Sequence, residues 1–219
     1  TVTNTNEAPL ITSAATHNAA ENQTAVTTVT SSDVDGAAPV YTIVGGPDAA
    51  LFAIDAATGV LTFNAAPDFE APADAGGDNV YDVTVQVADG NGGTATQAIA
   101  ITVTNVNEAP LVTSGAAVSA AENQTGVTTV TSSDVDGGAP SYSIVGGADA
   151  ALFTIDAATG VLAFNAAPDF ELPADAGADN VYDVTVQVSD GNGGTDTQAI
   201  AVTVTNVNEA PIITSNGGD

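Results

Sequence analysis

The chain has 219 residues, with 27 Asp and Glu, no Lys or Arg and one His, and its formal charge at pH 7 is −27. That charge excludes nucleic acid, whose phosphates need basic contacts, and an anionic membrane surface. With no Cys there is no disulfide and no thiolate metal site, and no apolar run is long enough to span a membrane.

The sequence repeats. Asn4, Asn105 and Asn206 stand 101 residues apart, and laying residues 4–104 over 105–205 needs no gap and leaves 83 of 101 positions identical. A unit of about 100 residues can bury its own core. Residues 1–3 match the end of a repeat and 206–219 the start of another. The expectation is therefore a piece of a longer array, with any targeting signal outside it.

In chain order, one unit opens with one or two short strands within 9–20, followed by a strand over 24–31. The turn SDVDG leads to a strand over 39–44, and VGGPD to one over 50–55. DAATG precedes a strand over 60–64. The loop from NAAPD through PADAGGDN precedes 80–87, where Tyr81, Val83, Val85 and Val87 alternate with Asp82, Thr84 and Gln86. After DGNGG the alternation resumes at Ile99, Ile101 and Val103. Period two between Gly-, Pro-, Asn- and Asp-rich turns reads as strand, and no segment has a useful helical period. About seven strands per unit predict an all-β chain of two tandem Greek-key sandwiches.

Several acids fall in turns or at strand ends: Glu21, the pair Asp33 and Asp35, the pair Asp68 and Glu70, and Asp89. Each returns 101 residues later, as Glu122, Asp134, Asp136, Asp169, Glu171 and Asp190. Without Lys or Arg, converging carboxylates find no ion pair, and two of them ~4 Å apart repel by roughly 4 kcal/mol at an effective dielectric of 20. A hard divalent cation reverses that sign. Ca²⁺ accepts oxygens from carboxylates, Asn side chains and carbonyls, and Mg²⁺ suits such an all-protein cage less well. Read singly, any of these pairs is as well explained as a solvated turn; the recurrence of the whole set favours metal.

The strings AENQT, SSDVDG, LFAIDAATGVLTF, PDFE, VYDVTVQVADGNGG and TVTNVNEAP cover nearly the whole unit, and together they resemble the cadherin repeat, in the variety common in large bacterial surface proteins. The resemblance implies Ca²⁺ between consecutive repeats and an end-to-end rod. Carried over, Glu21, Asp68 and Glu70 would come from the first repeat, Asn105, Asn107, Glu108 and the Ala109 carbonyl from the linker, and Asp134, Asp136 and Asp190 from the second repeat. At the start, Asn6, the Ala8 carbonyl, Asp33, Asp35 and Asp89 would form a half-site. At the far end Glu122, Asp169, Glu171 and Glu209 would await a further repeat, and so bind more weakly. Asn105 and Glu108 stand where the family has Asp, and Ala109 where it has Asn.

The resulting division is residues 1–8 as the end of a preceding repeat and linker, 9–104 as repeat 1, and 105–109 as a calcium-binding linker. Residues 110–205 are repeat 2, and 206–219 a linker and the start of the next repeat. The expected role is a non-enzymatic extension module of a secreted or surface-anchored adhesin, its partners being neighbouring repeats. The alternative is that the repeats themselves associate, in homophilic contact or a filament, or bind carbohydrate weakly. His17 is matched by Val118, which excludes it from any shared role. Asp74, Asp78, Asp175 and Asp179 read as solvated loop sooner than as a further ion site. Asn22 and Asn123 begin N-x-T sequons.

Overall fold

The structure is a computed structural model that describes residues 5–36 and 38–211. The expected neighbouring-repeat remnants at 1–4 and 212–219 lie outside the described residues. The chain divides into two compact units, Thr1–Val106 and Asn107–Asp219.

In the first unit the strands are β1 (Leu10–Ile11), β2 (Thr16–Ala20), β3 (Ala25–Thr28), β4 (Ser31–Ser32) and β5 (Val40–Gly45), then β6 (Phe52–Ile54), β7 (Val60–Phe63), β8 (Val80–Ala88) and β9 (Thr94–Thr104). The order β2-β9-β8-β5 makes one sheet and β3-β7-β6 the other, with β1 paired to β4. β2 runs parallel to β9, and the remaining pairs are antiparallel. Taking β1 with β2, and β3 with β4, as interrupted single strands recovers the expected seven. The second unit repeats this order as β10 (Leu111–Val112), β11 (Ala117–Ala121), β12 (Gly126–Thr129), β13 (Ser132–Ser133) and β14 (Ser141–Gly146), then β15 (Phe153–Ile155), β16 (Val161–Phe164), β17 (Val181–Ser189) and β18 (Thr195–Thr205).

The cores follow from the alternation. In β8, Tyr81, Val83, Val85 and Val87 are buried, while Asp82 faces solvent. Ile99, Ile101 and Val103 of β9 pack with them, and Phe52, Leu61 and Phe63 close the core from the other sheet. Phe63 meets Tyr81 edge-on with ring centroids 5.2 Å apart, a favoured aromatic geometry. The Tyr81 hydroxyl leaves the apolar layer to accept the Ala73 amide at 3.1 Å.

Three strands differ from expectation. The run 24–31 breaks at Val29 and Thr30, because the Val29 amide turns to the Gly59 carbonyl at 2.8 Å. The run 50–55 opens as a 3₁₀ turn over Ala49–Leu51, leaving only Phe52–Ile54 extended. Conversely, β9 starts at Thr94 rather than Ile99, because β8 pairs with it down to Ala88 opposite Thr94. The Thr94–Ala98 stretch lacks large apolar residues, so hydrophobic alternation alone does not reveal it.

The two copies also offer a natural comparison. Ala178 sits at φ 53 where the first unit has Gly77 at φ 66. An L-residue with a Cβ is held there at a cost of roughly 1–2 kcal/mol, partly offset by the greater unfolded-state entropy of glycine. Ala178→Gly is therefore expected to raise the stability of the second unit by several tenths of a kcal/mol to about 1 kcal/mol. Urea unfolding checks this; a loss of stability would show that the loop does not hold the left-handed conformation.

Candidate metal centre

Each unit gathers acids at both ends of its last strand. In the first unit, residues 6–9 enter beside the turn after β4 and the loop between β8 and β9. Asn6 Nδ2 donates to Asp89 Oδ2 at 2.7 Å, and the Glu7 amide donates to Asp35 Oδ2 at 2.8 Å. The Asp35 amide donates to Asp33 Oδ1 at 2.8 Å. Asp89 is buried, and its Oδ1 accepts the Asn91 and Gly93 amides at 2.7 and 2.9 Å.

The second unit repeats the arrangement. Asn107 Nδ2 donates to Asp190 Oδ2 at 2.7 Å, the Glu108 amide to Asp136 Oδ2 at 2.7 Å, and the Asp136 amide to Asp134 Oδ1 at 3.0 Å. A Cβ on Gly93 would lie 2.2 Å from Asp89 Oδ2 and 2.9 Å from the Ala8 Cα; at Gly194 the distances to Asp190 Oδ2 and the Ala109 Cα are 2.3 and 2.8 Å. Only glycine lets the entering chain press so closely on this loop.

At this end of both units, hydrogen bonds favour the charged form of the loop aspartate. The Asn6 side chain, and then the Asn91 and Gly93 amides, hold Asp89 below the usual carboxylate range against its burial. Asn107, followed by the Asn192 and Gly194 amides, does the same for Asp190. Glu7 is pushed up, first by a hydrogen bond with Asp35 and then by charge repulsion from it.

At the other end of the first unit, Glu21 is 3% exposed, with Oε2 accepting the Phe69 amide and Oε1 the Val106 amide, both at 2.8 Å. Asp68 Oδ1 accepts the Glu70 and Ala71 amides, each at 3.0 Å, and Asn105 Nδ2 donates to Glu70 Oε1 at 2.7 Å. In the second unit Glu122 accepts the Phe170 and Val207 amides, Asn206 donates to Glu171, and Asn123 donates to Glu209. The Phe170 and then the Val207 amide hold Glu122 below its ordinary range. The chain leaving each unit is thus tied to that unit's own end. β9 has eleven residues, so at ~3.4 Å each roughly 35 Å separate its two ends.

The structure therefore brings Glu21, Asp68, Glu70 and Asn105 together, and likewise Glu122, Asp169, Glu171 and Glu209. Oxygens of Glu21, Asp68 and Glu70 lie within 4.8 Å of one another, as do those of Glu122, Asp169 and Glu171. Asn6, Asp33, Asp35 and Asp89 share one end, as do Asn107, Glu108, Asp134, Asp136 and Asp190. Among the described residues, Asp33, Asp35 and Asp89 do not form such a close triad.

The donor set suits a hard cation: it consists of carboxylates, Asn amides and main chain. Asp33 Oδ2 is moreover buried with no hydrogen-bond partner among the described residues, an acceptor whose burial goes uncompensated without a cation or water.

One expectation is corrected. Asp74 is not solvated: it is 7% exposed and accepts the Asp78 and Asn79 amides at 3.1 and 3.0 Å. Burial pushes it up, but those amides and that of Gly77 outweigh it and hold it low. Asp175 is likewise buried, whereas Asp78 and Asp179 are exposed. Asp48 and Asp149, also buried, were not legible because their partners are backbone amides distant in sequence. The Val106 and Val207 amides at the end sites left no side-chain signal either. His17 lies on β2, its ring Nε2 3.0 Å from the Ala14 carbonyl.

Fold and ends together define a tandem Ig-like, cadherin-like chain with acidic ends on each sandwich. The bacterial Ig domain family profile matches residues 6–102 and 107–203, and the chain belongs to that family. Among solved structures, a crystal structure of human protocadherin-24 EC1-2 superposes with a TM-score of 0.64 at 20% identity, covering 92% of this chain and 100% of that one. Mouse cadherin-23 EC22-24 superposes with a TM-score of 0.53 at 23% identity, covering 91% of this chain and 65% of that one. At these identities the likeness establishes the fold alone. No curated protein matches the chain. Among the described residues no helix is long and apolar enough to cross a membrane.

Proposed function

We propose that the chain is a calcium-binding extension module of a repetitive extracellular surface protein, in which Ca²⁺ at each junction stiffens the array for adhesion. Residues 9–104 and 110–205 are the repeats, 105–109 is the calcium-binding linker, and 1–8 and 206–219 belong to flanking junctions. At the middle junction Glu21, Asp68, Glu70, Asn105, Asn107, Glu108, the Ala109 carbonyl, Asp134, Asp136 and Asp190 hold the ions. Asn6, the Ala8 carbonyl, Asp33, Asp35 and Asp89 serve the start, and Glu122, Asp169, Glu171 and Glu209 the far end. The role requires no catalysis.

The observation that carries this reading is the repeated carboxylate triad, Glu21–Asp68–Glu70 and Glu122–Asp169–Glu171, whose oxygens lie within 4.8 Å without one Lys or Arg in the chain. Such a group is stable when a cation offsets its repulsion. Binding in the ~0.1–1 mM range is expected, as for other extracellular calcium modules.

Asp136→Ala tests the assignment by calorimetry. It removes a carboxylate that also fixes the Glu108 amide, and is expected to abolish part of the calcium uptake while Glu122, Asp169 and Glu171 keep theirs. Wild-type stoichiometry and affinities in the variant would refute the assignment.

Association of the repeats is a second reading, favoured by leucines exposed at matching positions: Leu10 is 65% and Leu111 61% exposed. Sedimentation separates the two, since a spacer stays monomeric in Ca²⁺ and an associating module gains mass.

A further inference from the structure

The loop that holds Asp89 carries chemistry of its own. Among the described asparagines only Asn91 and Asn192 are followed by glycine, within Asp-Gly-Asn-Gly-Gly in both copies. Both are exposed. Their backbone amides donate to Asp89 and Asp190, each at 2.7 Å, but neither side-chain amide hydrogen-bonds to a described residue. Four other asparagines differ on both counts. The amides of Asn64, Asn79, Asn105 and Asn107 are engaged, and the residues that follow them all carry a Cβ.

We propose that Asn91 and Asn192 are sites of spontaneous deamidation and isomerisation, and that the change disarms the aspartate two residues before each. The amide nitrogen of Gly92, on losing its proton, bonds to Cγ of Asn91. The Cγ–Nδ2 bond breaks, and Nδ2 leaves as ammonia carrying a proton. The product is a cyclic imide joining residues 91 and 92. Water opens it at Cγ to give aspartate, or at the main-chain carbonyl to give isoaspartate, whose backbone runs through the former side chain. No oxidant, metal or enzyme is needed. The absence of a Cβ on Gly92 removes a steric obstacle beside its nitrogen, and exposure admits water.

Isoaspartate inserts one extra methylene between the Asn91 and Gly93 amides. Those two donors converge on Asp89 Oδ1 at 2.7 and 2.9 Å, and the loop is already so tight that a Cβ on Gly93 would strike Asp89 Oδ2. The lengthened backbone cannot keep both bonds. Asp89 loses main-chain anchorage and leans on the Asn6 side chain, as Asp190 does on Asn107 when Asn192 converts. Each conversion also adds a negative charge at the end of a unit that is already acidic. The site is then a slow clock: old chains lose the preformed aspartate. The calcium consequence rests on the reading proposed above, under which aged chains bind the ion less well and bound Ca²⁺ slows ageing by holding the loop.

The test is to age the whole chain in mildly alkaline buffer, in EDTA and in Ca²⁺, and to map isoaspartate by mass spectrometry after cleavage at aromatic and leucine residues. Isoaspartate should accumulate at 91 and 192 several-fold faster than at any other described asparagine, and not at all at these positions in Asn91→Gln/Asn192→Gln. An even spread over the asparagines, or conversion absent from 91 and 192, would overturn the proposal. Hydrogen exchange on the aged chain should show the Gly93 amide deprotected; unchanged protection in converted chains would overturn the disarming step. If fresh protein takes up no Ca²⁺ by calorimetry, the calcium reading fails on its own, while the isoaspartate map still decides this proposal.

Discussion

Asp149→Ala is expected to destabilise the second unit by about 3 kcal/mol, since each hydrogen bond to a charged group contributes about 1.5–3 kcal/mol and the carboxylate makes two part-buried ones. Asp149 is 5% exposed. Its Oδ1 accepts the Ala176 amide at 2.7 Å and its Oδ2 the Asp183 amide at 2.8 Å. One side chain thus ties the 3₁₀ turn to the long loop before β17 and to β17 itself. Alanine strands both amides, and no neighbouring side chain takes over. Urea unfolding in EDTA measures the loss without interference from calcium; a change below about 0.5 kcal/mol, the level of an ordinary surface substitution, would mean that water replaces the carboxylate freely.

Gly147→Ala should be at least as damaging. Gly147 has φ 107, and a Cβ there would lie 2.4 Å from the Asp183 carbonyl oxygen and 2.5 Å from the Val184 Cα. Both obstacles are backbone of β17, which cannot swing aside as a side chain can. The conformation and the collision compound each other, and a loss of about 3–4 kcal/mol is expected, in the range reserved for named core or backbone defects. Thermal unfolding of the variant checks this. A near-normal midpoint would show that β14 can peel from β17 at little cost, against the ladder that pairs Gly146 with Thr185.

Both residues lie in VGGAD, the second copy of VGGPD, which the sequence marks only as a turn. The contrast shows what was legible. Tyr81 through Val87 declared a strand because one face is fully apolar, and the turn glycines declared its limits. The repeated acids at Glu21, Asp33, Asp35, Asp68, Glu70 and Asp89 were legible because they recur without basic partners. The role of Asp48 and Asp149 was not, because a buried carboxylate satisfied by main chain looks like any turn aspartate. Asp74 misled for the same reason: its partners, the Asp78 and Asn79 amides, are local but carry no side-chain signature. The early start of β9 at Thr94 escaped because pairing, not hydrophobicity, extends the strand.

The end sites join these themes. Glu21 and Glu122 each give both oxygens to amides, one from the unit and one from the chain leaving it. This geometry fixes the first step of the linker without any ion. Under the calcium reading proposed above, the ion would then have a narrower task, to offset the repulsion among Asp68, Glu70 and the acids of a following repeat.

Small-angle scattering of the chain at low salt, in Ca²⁺ and after chelation by EDTA, tests that claim most directly. The account predicts a single extended form in Ca²⁺ and a broader, more flexible distribution in EDTA, with the β-structure retained in both. Superimposable scattering curves in the two conditions would contradict it.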